Sequence, residues 1–401
     1  VERAVRRLAS ARVLGRHVGV RVVALADGRV AFRRGTGSVT PASTMKLLTA
    51  VAALEALGPA HRFSTTVLAV PGSSRITLTG GGDPLLASRP SSGQDYPARA
   101  DLDTLAARTA TALRAAGRTR VRLGYDASLF RGPAVSPRWE PSYVPDDVVS
   151  PITALWVEEG RDRPGATGRS RSPARGAAAV FAAALRRHGV QVRGALRPAA
   201  APSVADGGRS VARIQGAPLS QVVQHVLEVS DNEGAEVLAR QVALARGRPA
   251  SFEGAARAVR GVLGSLGVPL SAADRIYDGS GLSRQDRLRP ETLVAVLRVA
   301  SSGEHPRLRA AVAGLPVAGF TGSLAGRFDT GNAFGPGLVR AKTGTLTGVH
   351  GLAGTLTTRD GVVLVFVAVA DRVRPVDTLE ARARLDELTA ALAGCRCAAT
   401  P

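Results

Sequence analysis

Apolar residues run almost continuously at the two ends of the chain and recur with helical spacing between them. Near the start, Val18–Ala26 passes through Asp27-Gly28 into Arg29–Arg33, two extended runs about an Asp-Gly turn, which predicts a β-hairpin. Near the end, Val339–Leu346, Gly351–Thr357 and Val362–Ala370 predict three further strands, and Asp377–Leu392 has the spacing of an amphipathic helix. Ser43–Leu57 predicts a helix, with Pro41 before its apolar body and Gly58-Pro59 after it. Leu219–Val229 and Glu233–Ala245 predict a helix pair around the break Ser230-Asp231-Asn232.

The middle of the chain reads differently. From Phe63 to Gly207 there are short strand-like runs (Thr65–Val70, Ile76–Thr79, Arg120–Leu123) and helices at Leu102–Ala116 and Gly176–His188. Arg161–Arg175 and Pro198–Gly208 are crowded with Gly, Pro, Arg and Ser, as loops are. The expected architecture is α+β: an antiparallel five-stranded sheet drawn from both termini and flanked by helices, residues 1–63 and 208–401, interrupted by a smaller inserted domain over 64–207.

Composition narrows the function classes. At 401 residues and 45% hydrophobic, the chain can bury cores for two or three domains. Its abundant Ala, Gly and Arg fit a GC-rich coding sequence. The net charge of +21 is spread over the whole length, with no basic helix or aromatic-interleaved stripe, which argues against nucleic-acid binding. The same charge predicts attraction to an anionic surface such as a cell wall or membrane face. No apolar run reaches the length of a membrane helix. The chain begins at Val1 and its only methionine is Met45, so a removed leader or a trimmed start is expected. The six histidines contain no His-x-x-x-His pair and no Cys-x-x-Cys exists, so neither a metal nor another cofactor is expected. Cys395 and Cys397 are compatible with a small-loop disulfide or with two thiols.

One compositional fact singles out two positions. Of 53 basic side chains only Lys46 and Lys342 are lysine. Lysine can lose its proton when buried or crowded by charge, whereas guanidinium cannot. Lys46 ends Ser43-Thr44-Met45-Lys46 at a predicted helix start, where spacing of three puts Ser43 and Lys46 on one face. Free N–H groups at such a terminus support an oxyanion and disfavour an ammonium, so the pair reads as a nucleophile and its base. Ser230-Asp231-Asn232 offers a hydroxyl to relay a proton and an amide to hold a carbonyl. Lys342-Thr343-Gly344-Thr345 offers a charge, two hydroxyls for a carboxylate, and a glycine that lets a ligand lie along a strand edge. Each has an ordinary reading too: an N-cap serine with a solvated lysine, a helix cap, and a Gly-Thr strand turn.

In this order the three motifs form the signature set of penicillin-binding proteins and serine β-lactamases. With Pro41–Leu47, Gly81-Gly82-Asp83-Pro84, Ser230–Glu233, Asp278–Ser283 and Lys342–Thr345, the chain resembles the class C low-molecular-mass penicillin-binding proteins, the D-alanyl-D-alanine carboxypeptidase/endopeptidase family, from an actinobacterium-like source. That family places an extra domain between the first two motifs; here the insert is short, and a nested second domain is expected to be reduced or missing. The resemblance implies acyl transfer to peptidoglycan stem peptides ending in D-Ala-D-Ala, acylation by β-lactams, and an exported, wall-associated protein without cofactor. It implies Ser43 as nucleophile, Lys46 as neutral base, and Ser230 with a charged Lys342 protonating the leaving amine. Asn232 would hold the substrate's side-chain amide. Lys342, Thr343 and Thr345 along Gly344 would take the terminal carboxylate, with the N–H groups of Ser43 and Thr345 on the oxyanion. Leu282-Ser283 and Gly82-Asp83-Pro84 are read as structural loops. The competing readings are a serine β-lactamase, which must deacylate fast, and a non-catalytic peptidoglycan-binding module.

Overall fold

The computed structural model describes residues 2–396 except 92, 94, 95, 162, 164 and 330–333. Helix α1 (Glu2–Ala9) leads into strands β1 (Val18–Ala24) and β2 (Val30–Arg34) and helix α2 (Lys46–Leu57). There follow β3 (Ser64–Ala69), β4 (Arg75–Gly80), α3 (Leu102–Ala115), β5 (Arg120–Asp126), α4 (Pro173–Arg187), β6 (Gln191–Val192), β7 (Arg197–Pro198) and β8 (Arg209–Gln215). Helices α5 (Leu219–Glu228), α6 (Asn232–Ala245), α7 (Phe252–Ser265), α8 (Pro290–Ser301) and α9 (Arg309–Ala313) precede β9 (Val339–Leu346), β10 (Val349–Thr357), β11 (Val363–Ala370) and the last helix, α10 (Thr378–Ala393).

The first sheet has five antiparallel strands in the order β2-β1-β11-β10-β9, so the terminal hairpin joins the C-terminal strands through β1 and β11. Successive side chains of a strand point to opposite faces, and here both faces are covered. Val365, Val367 and Val369 enter a core with α2, α5, α6, α7 and α8, whereas Leu364, Phe366 and Ala368 enter a second core with α1 and α10. Double coverage explains why β11 reads as a continuous apolar run instead of alternating. Helix α2 is buried at every position from Lys46 to Leu54, which makes it the central post of the first core.

The second sheet runs β6-β5-β4-β3-β8, with β7 also paired to β5, and packs on α3 and α4. Strand β8 is hydrogen-bonded to β3 in this sheet, although it lies past the expected return at 208. A second departure concerns the segment that follows β5. Phe130, Trp139, Ile152 and Trp156 leave the second sheet and pack against Val237 of α6, Phe252 of α7 and Leu282. Buried Arg240 pins it by donating to the carbonyls of Arg131 (3.0 Å), Pro133 (3.0 Å) and Ala250 (2.9 Å) while its guanidinium lies 4.4 Å from the Phe252 ring centroid.

The predicted helix at 43–57 starts differently: residues 42–45 form a tight 3-10 turn and the α-helix begins at Lys46. Helices α1, α7, α8 and α9 are not predicted by the pattern. In α7 three glycines lower the helix propensity; Gly254, on its buried face, is required because a Cβ there would lie 1.9 Å from the Pro249 carbonyl oxygen, while Gly261 and Gly264 are exposed. Cys395 is buried and disulfide-bonded, and Cys397 lies outside the described residues. Among the described residues no helix is long and apolar enough to cross a membrane.

Candidate active site

Ser43 sits in the turn ahead of α2, following Ala42 at φ +46. A left-handed alanine costs on the order of 1 kcal/mol and needs surrounding structure to hold it. Gly281 (φ +81) supplies that structure, lying so close that a Cβ there would fall 1.9 Å from the Ala42 carbonyl oxygen. One helical turn after Ser43, the Lys46 ammonium donates to Ser43 Oγ (2.9 Å), Asn232 Oδ1 (2.7 Å) and the Ser280 carbonyl (2.9 Å). Lys46 is fully buried, and desolvation lowers its pKa from 10.5 to about 8 against the opposing pull of Asp231, Asp278, Glu236 and Glu233.

The Ser280 carbonyl is aimed by two buried acids. Glu236 accepts from Gly279 N (3.0 Å) and Ser280 N (2.8 Å); Asp278 accepts from Gly281 N (2.7 Å), Ser283 N (2.7 Å) and Trp139 Nε1 (2.8 Å). Burial and the neighbouring Asp278 raise Glu236 to about 7 and push Asp286 well above the usual carboxylate range. Thr49 Oγ1 fixes the same loop through the Gly279 carbonyl at 2.7 Å.

The Ser230-Asp231-Asn232 break stands between α5 and α6, with Ser230 at φ +62. The Ser230 hydroxyl makes no hydrogen bond among the described residues. Asp231 is the cap of α6, its Oδ1 accepting from Gly234 N at 2.9 Å. Asn232, the first residue of α6, uses both amide atoms: Oδ1 on Lys46, and Nδ2 donating to the Val148 carbonyl at 2.9 Å. In the ligand-free site Asn232 therefore orients the lysine, a duty additional to the substrate contact expected of it.

Lys342, Thr343, Gly344 and Thr345 lie on β9, the sheet edge next to the Ser43 turn. A Cβ on Gly344 would lie 2.8 Å from the Pro41 carbonyl oxygen, so glycine is needed here to admit the turn that carries Ser43. Thr345 is exposed, and Thr343 Oγ1 meets Ser323 Oγ at 2.9 Å. Lys342 is fully buried and donates to the Thr343 carbonyl (3.1 Å) and Thr343 Oγ1 (3.4 Å). Burial and the nearby Lys46 charge push its pKa well below normal. Four acids oppose the effect of burial on Lys46, whereas among the described residues no acid acts on Lys342.

Asp278, from the Asp278–Ser283 stretch read as a hallmark, joins the arrangement; Glu236, Trp139, Val148 and Ser323 complete it, and the motifs do not reveal these four. Glu236 carries the clearest signal in hindsight, standing one helical turn after Asn232 and on the same face.

The D-Ala-D-Ala carboxypeptidase 3 (S13) family model matches residues 3–169 and 162–392. Carboxypeptidase DacB of Mycolicibacterium smegmatis is 39% identical over 369 residues, covering 90% of this chain and 76% of that protein. The D-alanyl-D-alanine carboxypeptidase of Actinomadura sp. is 28% identical over 426 residues, covering 86% and 76%. Among solved structures, penicillin-binding protein 4 of Haemophilus influenzae superposes with a TM-score of 0.80 at 22% identity, covering 98% of this chain and 99% of the other. A predatory endopeptidase of Bdellovibrio bacteriovorus shares the fold at a TM-score of 0.57 and 16% identity, covering 94% and 92%. With a serine and a buried lysine joined at the head of its central helix, the chain belongs to the D-Ala-D-Ala carboxypeptidase 3 (S13) family, the class C low-molecular-mass penicillin-binding serine hydrolases.

Proposed function

We propose that the enzyme removes the terminal D-Ala from peptidoglycan stem peptides, and also cleaves D-alanyl crosslinks, through an ester on Ser43. The observation that carries this reading is the 2.9 Å contact between Ser43 Oγ and a fully buried Lys46 whose pKa is about 8. In its neutral form Lys46 takes the Ser43 proton as Oγ attacks the carbonyl of the penultimate D-Ala. The N–H groups of Ser43 and Thr345 stabilise the oxyanion. As the C–N bond breaks, Ser230 passes a proton to the departing amine, relaying the one that Lys46 took from Ser43, and the charge of Lys342 assists the transfer. Water then hydrolyses the ester.

Lys342, Thr343 and Thr345 along the Gly344 edge receive the substrate carboxylate or its β-lactam equivalent, so a β-lactam acylates Ser43 and stays. An arriving carboxylate restores the charge on Lys342, which in turn disfavours the charge on Lys46 and frees the base. Family membership supports residence outside the cytoplasm, and the charge of +21 supports association there with an anionic wall or membrane face. For the inserted unit we take residues 64–215, because β8 completes its sheet.

Ser43→Ala is expected to abolish labelling by a fluorescent penicillin with an unchanged circular dichroism spectrum; full labelling would end this reading. Mass spectrometry of muropeptides after incubation separates the two activities, since trimming removes single D-Ala residues and crosslink cleavage removes dimers.

A further inference from the structure

We propose that Glu159, His225 and Asp231 form a binding site for a divalent cation of the zinc type, one residue away from both Ser230 and Asn232. His225 stands in the last turn of α5 and Asp231 caps α6 six residues later, while Glu159 comes from a distant loop, and each offers a ligand atom within 4.8 Å of the other two. None of those offered groups is otherwise satisfied. The Glu159 carboxylate and the His225 ring make no hydrogen bond or ion pair among the described residues. Asp231 is only 8% exposed, and its Oδ2 is a buried oxygen without a partner. A buried carboxylate oxygen left bare costs on the order of 1–3 kcal/mol, more when charged, and a metal ion removes that cost.

The surroundings keep these groups available. Glu233, the next acid along, is committed to Arg169 at 2.8 Å and to Ser150 N at 3.0 Å. The two guanidinium groups with electrostatic reach of Glu159 are committed as well, Arg99 to Glu158 at 2.9 Å and Arg161 to Asp147 at 3.1 Å. Glu159 is held in place by a backbone that few residues adopt: Glu158, Glu159 and Gly160 stand at φ +52, +57 and +78 in succession. Such strain is retained where surrounding contacts impose it.

Two carboxylates and one imidazole make a mixed O/N set, which suits zinc and leaves a fourth position for water. Zinc bonds of about 2 Å require the ligand atoms to approach one another to about 3.3 Å, within reach of rotamer adjustments in His225 and Glu159. The sequence criterion for a metal site looks for ligands at fixed short spacing, and it passes over a set assembled from positions 159, 225 and 231.

The test is calorimetric titration of chelator-treated full-length protein with ZnCl2, in parallel with His225→Ala and Glu159→Gln. One equivalent of zinc is expected to bind, with affinity reduced at least about tenfold in each variant, while MgCl2 binds far more weakly. An anomalous difference peak among the three side chains at the zinc edge would locate the ion. Equal zinc affinity in wild type and both variants, no binding at all, or a peak elsewhere would overturn the assignment. Penicillin labelling of the same samples reports the fold and the Ser43 site separately, and both variants are expected to label like wild type.

Discussion

If Lys46 is the base, the rate of acylation must follow its free-amine fraction. With a pKa of about 8, about one molecule in eleven holds neutral Lys46 at pH 7; at the ordinary 10.5 it would be about one in 3,000. Burial thus supplies roughly a 300-fold gain in active base, worth about 3.4 kcal/mol. The second-order rate constant for acylation by a fluorescent penicillin is expected to rise about tenfold from pH 6 to 7 and to level off above about 8. Lys46→Arg, which keeps the charge but cannot release its proton, should lose at least about a hundredfold. Glu236→Gln assigns the bend to a residue. Glu236 raises the Lys46 pKa but is not among the groups acting on Lys342, so the variant should move the bend to lower pH. The amide retains an oxygen for the Gly279 and Ser280 N–H groups. A flat profile from pH 6 to 9, an upward move in Glu236→Gln, or wild-type acylation by Lys46→Arg would refute the reasoning.

Gly281→Ala should cost about 2 kcal/mol or more and slow acylation, because its Cβ would meet the Ala42 carbonyl oxygen at 1.9 Å and its φ is +81; Gly261→Ala, exposed inside α7 with nothing within 4 Å, should instead raise stability by about 0.5–1 kcal/mol in thermal unfolding. His350 is 2% exposed with neither ring nitrogen hydrogen-bonded, and burial, followed by Arg382 and Arg327, lowers its pKa from 6.5 to about 4. The folded state then binds fewer protons than the unfolded state between those values, so stability is intact above about 6.5 and falls by about 2 kcal/mol as the pH drops to about 4.5. Denaturant unfolding of His350→Leu should show a smaller fall over that interval; an equal fall would exclude the histidine as its source.

Much of the fold is legible in the sequence because local signals coincide there with tertiary burial. The β1–β2 hairpin announces itself through Asp27-Gly28, and β11 through a run apolar enough to be covered on both faces. What is illegible depends on contacts that no local pattern encodes. The segment around Trp139 carries no periodicity, yet its indole holds Asp278 and the nearby Val148 carbonyl holds Asn232. Gly344 in the Lys-Thr-Gly motif suggests room for a ligand along a strand edge, whereas the approaching group in the ligand-free enzyme is the Pro41 carbonyl. The motif residues are readable because the proposed chemistry needs those side-chain types at those places, and groups such as Glu236 and Trp139 are not, because any acid or indole reaching the same N–H groups and carboxylate would serve.

The scarcity of lysine acquires a physical reason from the two environments. Both ammonium groups are fully buried and electrostatically coupled, so charging both is unfavourable without an added anion. Lys46 faces four carboxylates and Lys342 faces none, which places the first proton on Lys46 while the site is empty. In the proposed mechanism a substrate carboxylate on the Lys342 side tips that balance and enlarges the neutral fraction of Lys46 beyond the about one molecule in eleven of the empty site at pH 7. An arginine at position 342 would hold its charge permanently and keep Lys46 depressed with no substrate bound. An arginine at position 46 would carry a charge that no carboxylate at the other end could displace. The coupling requires two groups whose protons can move in response to each other, and among the side chains this sequence uses for positive charge only lysine meets that requirement.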